Sequence, residues 1–136
     1  MKLKLAAIFF CFILCIAFTV QPQPGLKEGK KIYEQYCLSC HQADGEGVPP
    51  RLIPPLAQAS YVTGNKSQLI QWVLQGTPQE KQLINGTYYS DNMPPQNFLT
   101  NQQIAAVLTY IRNSFGNKAS AVTSAEVEKV RATLKK

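Results

Sequence analysis

"YCLSCHQ" (residues 36–42) places two cysteines, two spacer residues and a histidine within a single turn of chain. Cys37 and Cys40 have the spacing of a disulfide, of a metal grip, or of an anchor for something larger. His41 is the chain's only histidine, so a satisfactory reading must use it as well.

The surroundings narrow the choice. Four segments carry helical periodicity. One runs from about Leu26 to Cys37, with Gly29, Tyr33 and Cys37 four apart on one face. The next follows "GNKSQLIQWVLQG", with Asn65 as N-cap, Gln68 three residues on, an apolar stripe of Leu69, Ile70 and Val73, and Gly76 as the stop. The third has Thr100 as N-cap and Gln103 in the capping-box position. Ile104, Val107, Leu108, Ile111 and Phe115 share its face, and Gly116 closes it. A weaker fourth begins at Thr123, with Glu126 as capping partner and Val127, Val130 and Leu134 as its apolar side. Two long loops separate them, residues 42–64 with four prolines and residues 77–99 with three more. Loops of that length are uncommon in compact domains unless they serve a function. Strand signals are weak. So few short helices bury little apolar area, and something else must fill the centre.

Four readings of the cysteine pair can be weighed against that frame. Structural zinc wants about four ligands, usually from two such clusters; beyond the N-terminal apolar run, the chain has only these two thiols and one histidine. A thioredoxin-like redox pair belongs beside a βαβ pattern, which is missing here. A plain disulfide leaves His41 unused and the centre unfilled. Cys-x-x-Cys-His as a covalent haem attachment site uses all three residues. Residues three and four apart lie on one face at a helix end, so Cys37 and Cys40 can each bond a vinyl group while His41 turns an imidazole nitrogen to the iron. The haem c disc then supplies the missing core.

The second axial position tests this reading. Apart from Met1, Met93 is the only methionine, and it sits in "YYSDNMPPQNF", just before the third helix. Pro94 biases Met93 away from helical geometry, and Pro94 and Pro95 hold their own φ angles. A lone methionine is ordinarily core filling; downstream of a haem motif, a thioether on a stiff loop is the expected sixth ligand, giving a His41/Met93 pair.

"GKKIYEQYCLSCH", "PPL" (54–56), "NGTYYSDNMPP" and "QQIAAVLTYIRN" together resemble the class I cytochromes c, the small monohaem type, over about Leu26 to Gly116. The resemblance implies an all-α cytochrome c fold, three to four helices and long loops wrapped around one covalently bound haem. It also implies that Gly29 and Tyr33 on the first helix cross Val107 and Tyr110 on the last. A proline carbonyl after the haem motif would accept the hydrogen bond of the histidine's free nitrogen, with Pro54 the best match and Pro55 and Pro49 as alternatives. Trp72, the only tryptophan, is a candidate haem contact or simply core. Tyr88 or Tyr89 is placed to hydrogen-bond a propionate, while Asn85 and Gly86 shape the loop.

Residues 1–20 read as a secretory signal or a retained N-terminal anchor. Lys2 and Lys4 precede an uncharged run from Leu5 to Val20 that is shorter than the roughly 20 residues of a spanning helix. Cys11 and Cys15 within it are apolar filler. The haem domain would then cover 21–116, with 117–136 as a C-terminal extension carrying a short amphipathic helix. Similar tails occur on cytochrome subunits of membrane-associated dehydrogenases. Without the two leading lysines the balance is 12 basic to 8 acidic residues, with Lys129, Arg131, Lys135 and Lys136 at the C-terminus. No aromatic residues interleave with them, so nucleic acid is not an expected partner.

With both axial positions filled, no open iron site is left for a substrate. The expectation is an exported, periplasmic electron carrier, not an enzyme, serving protein redox partners such as a dehydrogenase or terminal oxidase. It would act as a shuttle or as a fixed subunit, and a membrane tether through the N-terminus fits either. The alternative is a haem enzyme or gas sensor with a labile sixth ligand.

Overall fold

The computed structural model describes residues 25–48, 53–77, 82–84, 87–90 and 92–134. The N-terminal segment 1–20, Pro49, Asn85, Gly86, Lys135 and Lys136 lie outside them. Among the described residues the order is α1 (Gly25–Tyr36), α2 (Leu38–His41), α3 (Ser60–Thr63), α4 (Lys66–Gln75), β1 (Gln82–Ile84), β2 (Thr87–Tyr89), α5 (Asn101–Ile111) and α6 (Ser124–Thr133). The described residues form a helical fold with one small hairpin, β1 pairing antiparallel to β2 in the register Leu83 opposite Tyr88. No helix among the described residues is long and apolar enough to cross a membrane.

The helix starts follow local hydrogen bonding. Asn65 accepts from the Gln68 N–H at 3.1 Å. At α5 the capping box is complete: Thr100 Oγ1 accepts from the Gln103 N–H at 3.2 Å, and the Gln103 side chain accepts from the Thr100 N–H at 2.9 Å. Thr123 and Glu126 repeat the arrangement at α6. Each cap satisfies N–H groups that the first turn leaves without a helical partner.

The ends are less predictable. α5 stops at Ile111 and does not reach Gly116. Asn113 and Asn117 turn their amides back onto the Thr109 and Ile111 carbonyls, at 2.9 Å each, offering those oxygens an alternative to further helix. Phe115 consequently leaves the α5 face. It adopts a left-handed φ of 57° and stacks on Tyr33, with ring centroids 5.1 Å apart.

α1 and α5 cross where Gly29 has no side chain. A Cβ there would strike the Ala106 carbonyl and come within 2.7 Å of Tyr110 Cβ. Tyr33 and Tyr110 meet as expected, with centroids 5.6 Å apart. The neighbour of Gly29 is Ala106, however, and not Val107. One residue along a helix rotates the side chain by about 100°, and that rotation sends Val107 into the interior, where it is buried.

The C-terminal segment packs against the same body. Val122, Val127 and Val130 belong to one buried cluster with Ile70, Ile104 and Leu108. Lys66 on α4 donates to the Ala121 carbonyl at 2.6 Å and to Glu126 at 2.9 Å. Arg131 donates to the Asn97 and Leu99 carbonyls and to Asn101 Oδ1. α6 thereby ties the start of α4 to the loop that enters α5.

Glu126 makes part of that tie pH-dependent. The Thr123 N–H, then Lys66, hold its carboxyl below the ordinary value of 4.5. A depressed carboxylate stabilises the fold fully above its unfolded pKa, and that contribution disappears as pH falls through the lower folded value. The group is 40% exposed, so the ion-pair contribution is under about 1 kcal/mol. Glu126→Gln should lower the denaturant midpoint modestly at neutral pH, and the gap should close in acid. A gap of constant size at every pH would contradict this.

Candidate functional site

α1 hands the chain directly into the haem-type motif. Cys37 closes the helix by donating its N–H to the Tyr33 carbonyl at 2.8 Å, and His41 and Cys40 donate theirs to the Cys37 carbonyl at 2.9 and 3.2 Å. This single turn sets Cys37, Cys40 and His41 on the wall of one cavity of about 170 Å³. Both cysteines are free thiols. Burial, with Cys40 as a smaller influence, pushes the Cys37 thiol up to about 11.

Beyond His41 the chain must reverse. Gln42 takes φ 62°, and Gly47 takes φ 70° while donating to the His41 carbonyl at 3.3 Å. A Cβ on Gly47 would strike the Ile53 carbonyl and stand 2.9 Å from that of Pro54. Glycine therefore lets the Ile53–Pro54 backbone close over the motif.

The His41 Nδ1 is buried and has no hydrogen-bond partner. Burial lowers its pKa, and the Pro54 carbonyl pulls in the opposite, upward direction. That carbonyl stands close enough to act on the ring while falling outside good hydrogen-bond geometry. Pro55, the alternative, is already engaged: its carbonyl accepts a short bond from the Tyr61 hydroxyl.

Further lining comes from α4 and the segment after β2. Met93 lines the cavity together with Val73, Thr77 and Pro94. Its backbone is pinned to the end of α4: the Thr77 N–H donates to the Met93 carbonyl at 3.0 Å, and the Met93 N–H donates to Thr77 Oγ1 at 2.9 Å. Trp72 also lines the cavity and stands edge-on to Tyr61, with centroids 6.0 Å apart.

The two tyrosines of β2 separate. Tyr89 faces the cavity, whereas Tyr88 is 53% exposed and is not part of the wall. Side chains of a strand alternate between faces, which is why only one of the two adjacent tyrosines joins the lining. Sequence reading also passed over Tyr61 and Thr77. Tyr61 had an available signal, an aromatic just past a proline-rich loop; Thr77 had none, because its role depends on a residue 16 positions away. On the outer rim Tyr36 meets Phe98 edge-on at 5.3 Å, and Phe98 is 61% exposed.

A family model described as cytochrome c matches residues 26–115. The chain belongs to the cytochrome c family. It is similar to cytochrome c-552 of Thermus thermophilus, 33% identical over 113 residues that span 77% of this chain and 85% of that one. It also resembles the fructose dehydrogenase cytochrome subunit of Gluconobacter japonicus (33% over 110 residues) and the cytochrome c subunit of the quinone alcohol dehydrogenase of Gluconacetobacter polyoxogenes (34% over 119 residues). In both cases 77% of this chain is covered, and the chain spans only 22% of the relative's length. As a cytochrome c it carries one covalently bound haem c. The residues present suit that group: paired free thiols, a buried imidazole nitrogen without a partner, and a thioether, all on one apolar cavity.

Proposed function

We propose that this cytochrome passes single electrons between exported protein partners, with Cys37 and Cys40 forming the thioether links and His41 and Met93 holding the iron. The observation carrying this reading is that the chain's only histidine and its only methionine beyond Met1 line the same cavity. Bound there, haem c supplies one-electron cycling between ferric and ferrous iron.

The protein's part is to fix the ligands and exclude water. Pro54 orients the His41 ring, and the Met93 thioether favours reduced iron and so raises the potential. Trp72, Tyr61 and Tyr89 close one side of the cavity with aromatic surface. With His41 and Met93 both holding the iron, the site would serve transfer and not substrate chemistry. The redox partner is a dehydrogenase or terminal oxidase, and the similarity to two dehydrogenase cytochrome subunits supports the former. The site, on this reading, lies outside the cytoplasm, where an N-terminal signal or anchor would deliver it.

The optical spectrum of the ferric protein tests the reading. A methionine-to-iron charge-transfer band with slow carbon monoxide binding to the ferrous form is expected. A high-spin, five-coordinate spectrum with rapid carbon monoxide binding would instead mark a haem enzyme or gas sensor.

A further inference from the structure

The Met93 loop is fastened to the rest of the fold in an unusual way. Thr77, the second residue beyond α4, takes both backbone polar groups of Met93. Its N–H donates to the Met93 carbonyl at 3.0 Å, and its hydroxyl accepts the Met93 N–H at 2.9 Å. A third bond runs from the Gln96 N–H to the Val73 carbonyl at 2.8 Å. Gly76, at φ 75°, permits this approach, because a Cβ there would strike the Met93 carbonyl and come within 3.0 Å of the Pro95 nitrogen. α4 in turn is held by Leu69, Ile70, Val73 and Leu74, all buried. Of the three bonds, one alone uses a side chain, and it is the Thr77 hydroxyl.

We infer that Thr77 is a positioning residue for the sixth ligand: its hydroxyl locks the Met93 backbone to α4 and so sets how often the thioether leaves the iron. This rests on the reading of Met93 as that ligand. A ligand carried on a loop dissociates when the loop moves, and an incoming molecule binds in proportion to the fraction of time the iron is open. Removing the hydroxyl leaves the Met93 N–H without its acceptor in a partly buried place. That loss is felt only while the loop is docked. It therefore raises the open fraction.

The test uses the full-length holoprotein and imidazole as the probe. Thr77→Val keeps the shape and removes the acceptor; Thr77→Ser keeps the acceptor. Imidazole should bind the ferric Thr77→Val protein about tenfold more tightly than wild type. The reduction potential should fall, and Thr77→Ser should restore both toward wild type. A merely structural role would lower thermal stability in Thr77→Val and leave imidazole affinity unchanged, and that result overturns the inference. Equal shifts in the Val and Ser variants overturn it too, since they would trace to packing and not to the hydroxyl. Met93→Ala separates the two levels. If Met93→Ala leaves the spectrum of the ferric protein unaltered, the ligand assignment itself fails and the Thr77 inference with it. If Met93→Ala opens the iron and Thr77→Val does not change imidazole binding, only the Thr77 inference fails.

Discussion

Met93→Ala should leave the haem attached, lower its reduction potential and open the iron to added ligands. Attachment survives because Cys37 and Cys40, the proposed thioether sites, lie on a segment of the lining separate from Met93. The potential falls because alanine supplies no soft sulfur to favour the ferrous state. Axial ligation commands about 0.8 V of range across haem proteins, and a drop on the order of 0.1–0.2 V is expected from replacing this thioether by water or a weak ligand. The loop itself should remain docked, since the Thr77 N–H and the Met93 carbonyl do not depend on the side chain. Potentiometric titration with cyanide or imidazole binding provides the measurement. An unchanged potential and spectrum would show that some other atom holds the sixth position.

Loss of both thioether sites should be the more destructive change. In Cys37→Ala/Cys40→Ala the haem has no covalent hold, and the walls contributed by α1, α4 and α5 must close over the cavity or leave it open. A persistent cavity of about 170 Å³ costs about 4 kcal/mol at roughly 24 cal/mol per Å³. A domain of this size has only about 5–15 kcal/mol of net stability. The double variant is therefore expected to retain little haem after denaturing extraction and to lose its cooperative thermal transition. Retention of a sharp transition without haem would show that the helices hold the fold unaided. Either single variant should fall between, keeping one thioether and a destabilised holoprotein.

The legible parts of this protein share a short range. "YCLSCHQ" is read within one turn, because a Cys-x-x-Cys-His spacing and a helical rise together put three groups on one side. The caps at Asn65, Thr100 and Thr123 are read equally well, since each joins residues three apart. Two neighbours could not be told apart in this way. Tyr88 and Tyr89 have the same chemistry, and which one faces the cavity was decided by the pairing of β2 with β1. Val107 and Ala106 differ by one step around α5, and the crossing with α1 chose Ala106 to meet Gly29.

The illegible parts are long-range polar bonds. Arg112, at the end of an apolar helix, is only 2% exposed. Its guanidinium donates to the carbonyls of Val62 at 2.6 Å and Ser120 at 2.8 Å, joining α3 and the C-terminal segment to the end of α5. Asn117 similarly receives the Ala59 N–H at 3.2 Å and donates to the Leu56 carbonyl at 2.8 Å. A buried donor left unpaired is costly, so these side chains decide how the proline-rich loop lies. Nothing in their local sequence marks them.

Sequence alone determined the attachment turn, the helix starts and the choice of His41 and Met93 as candidates, because each follows from residue chemistry or from contacts within a few positions. Tertiary structure decided that His41 and Met93 share one cavity, that Pro54 and not Pro55 is left to act on the His41 ring, and that Thr77 holds the Met93 loop. Those outcomes depend on residues 13 to 52 positions apart being brought together, and no local propensity encodes such meetings.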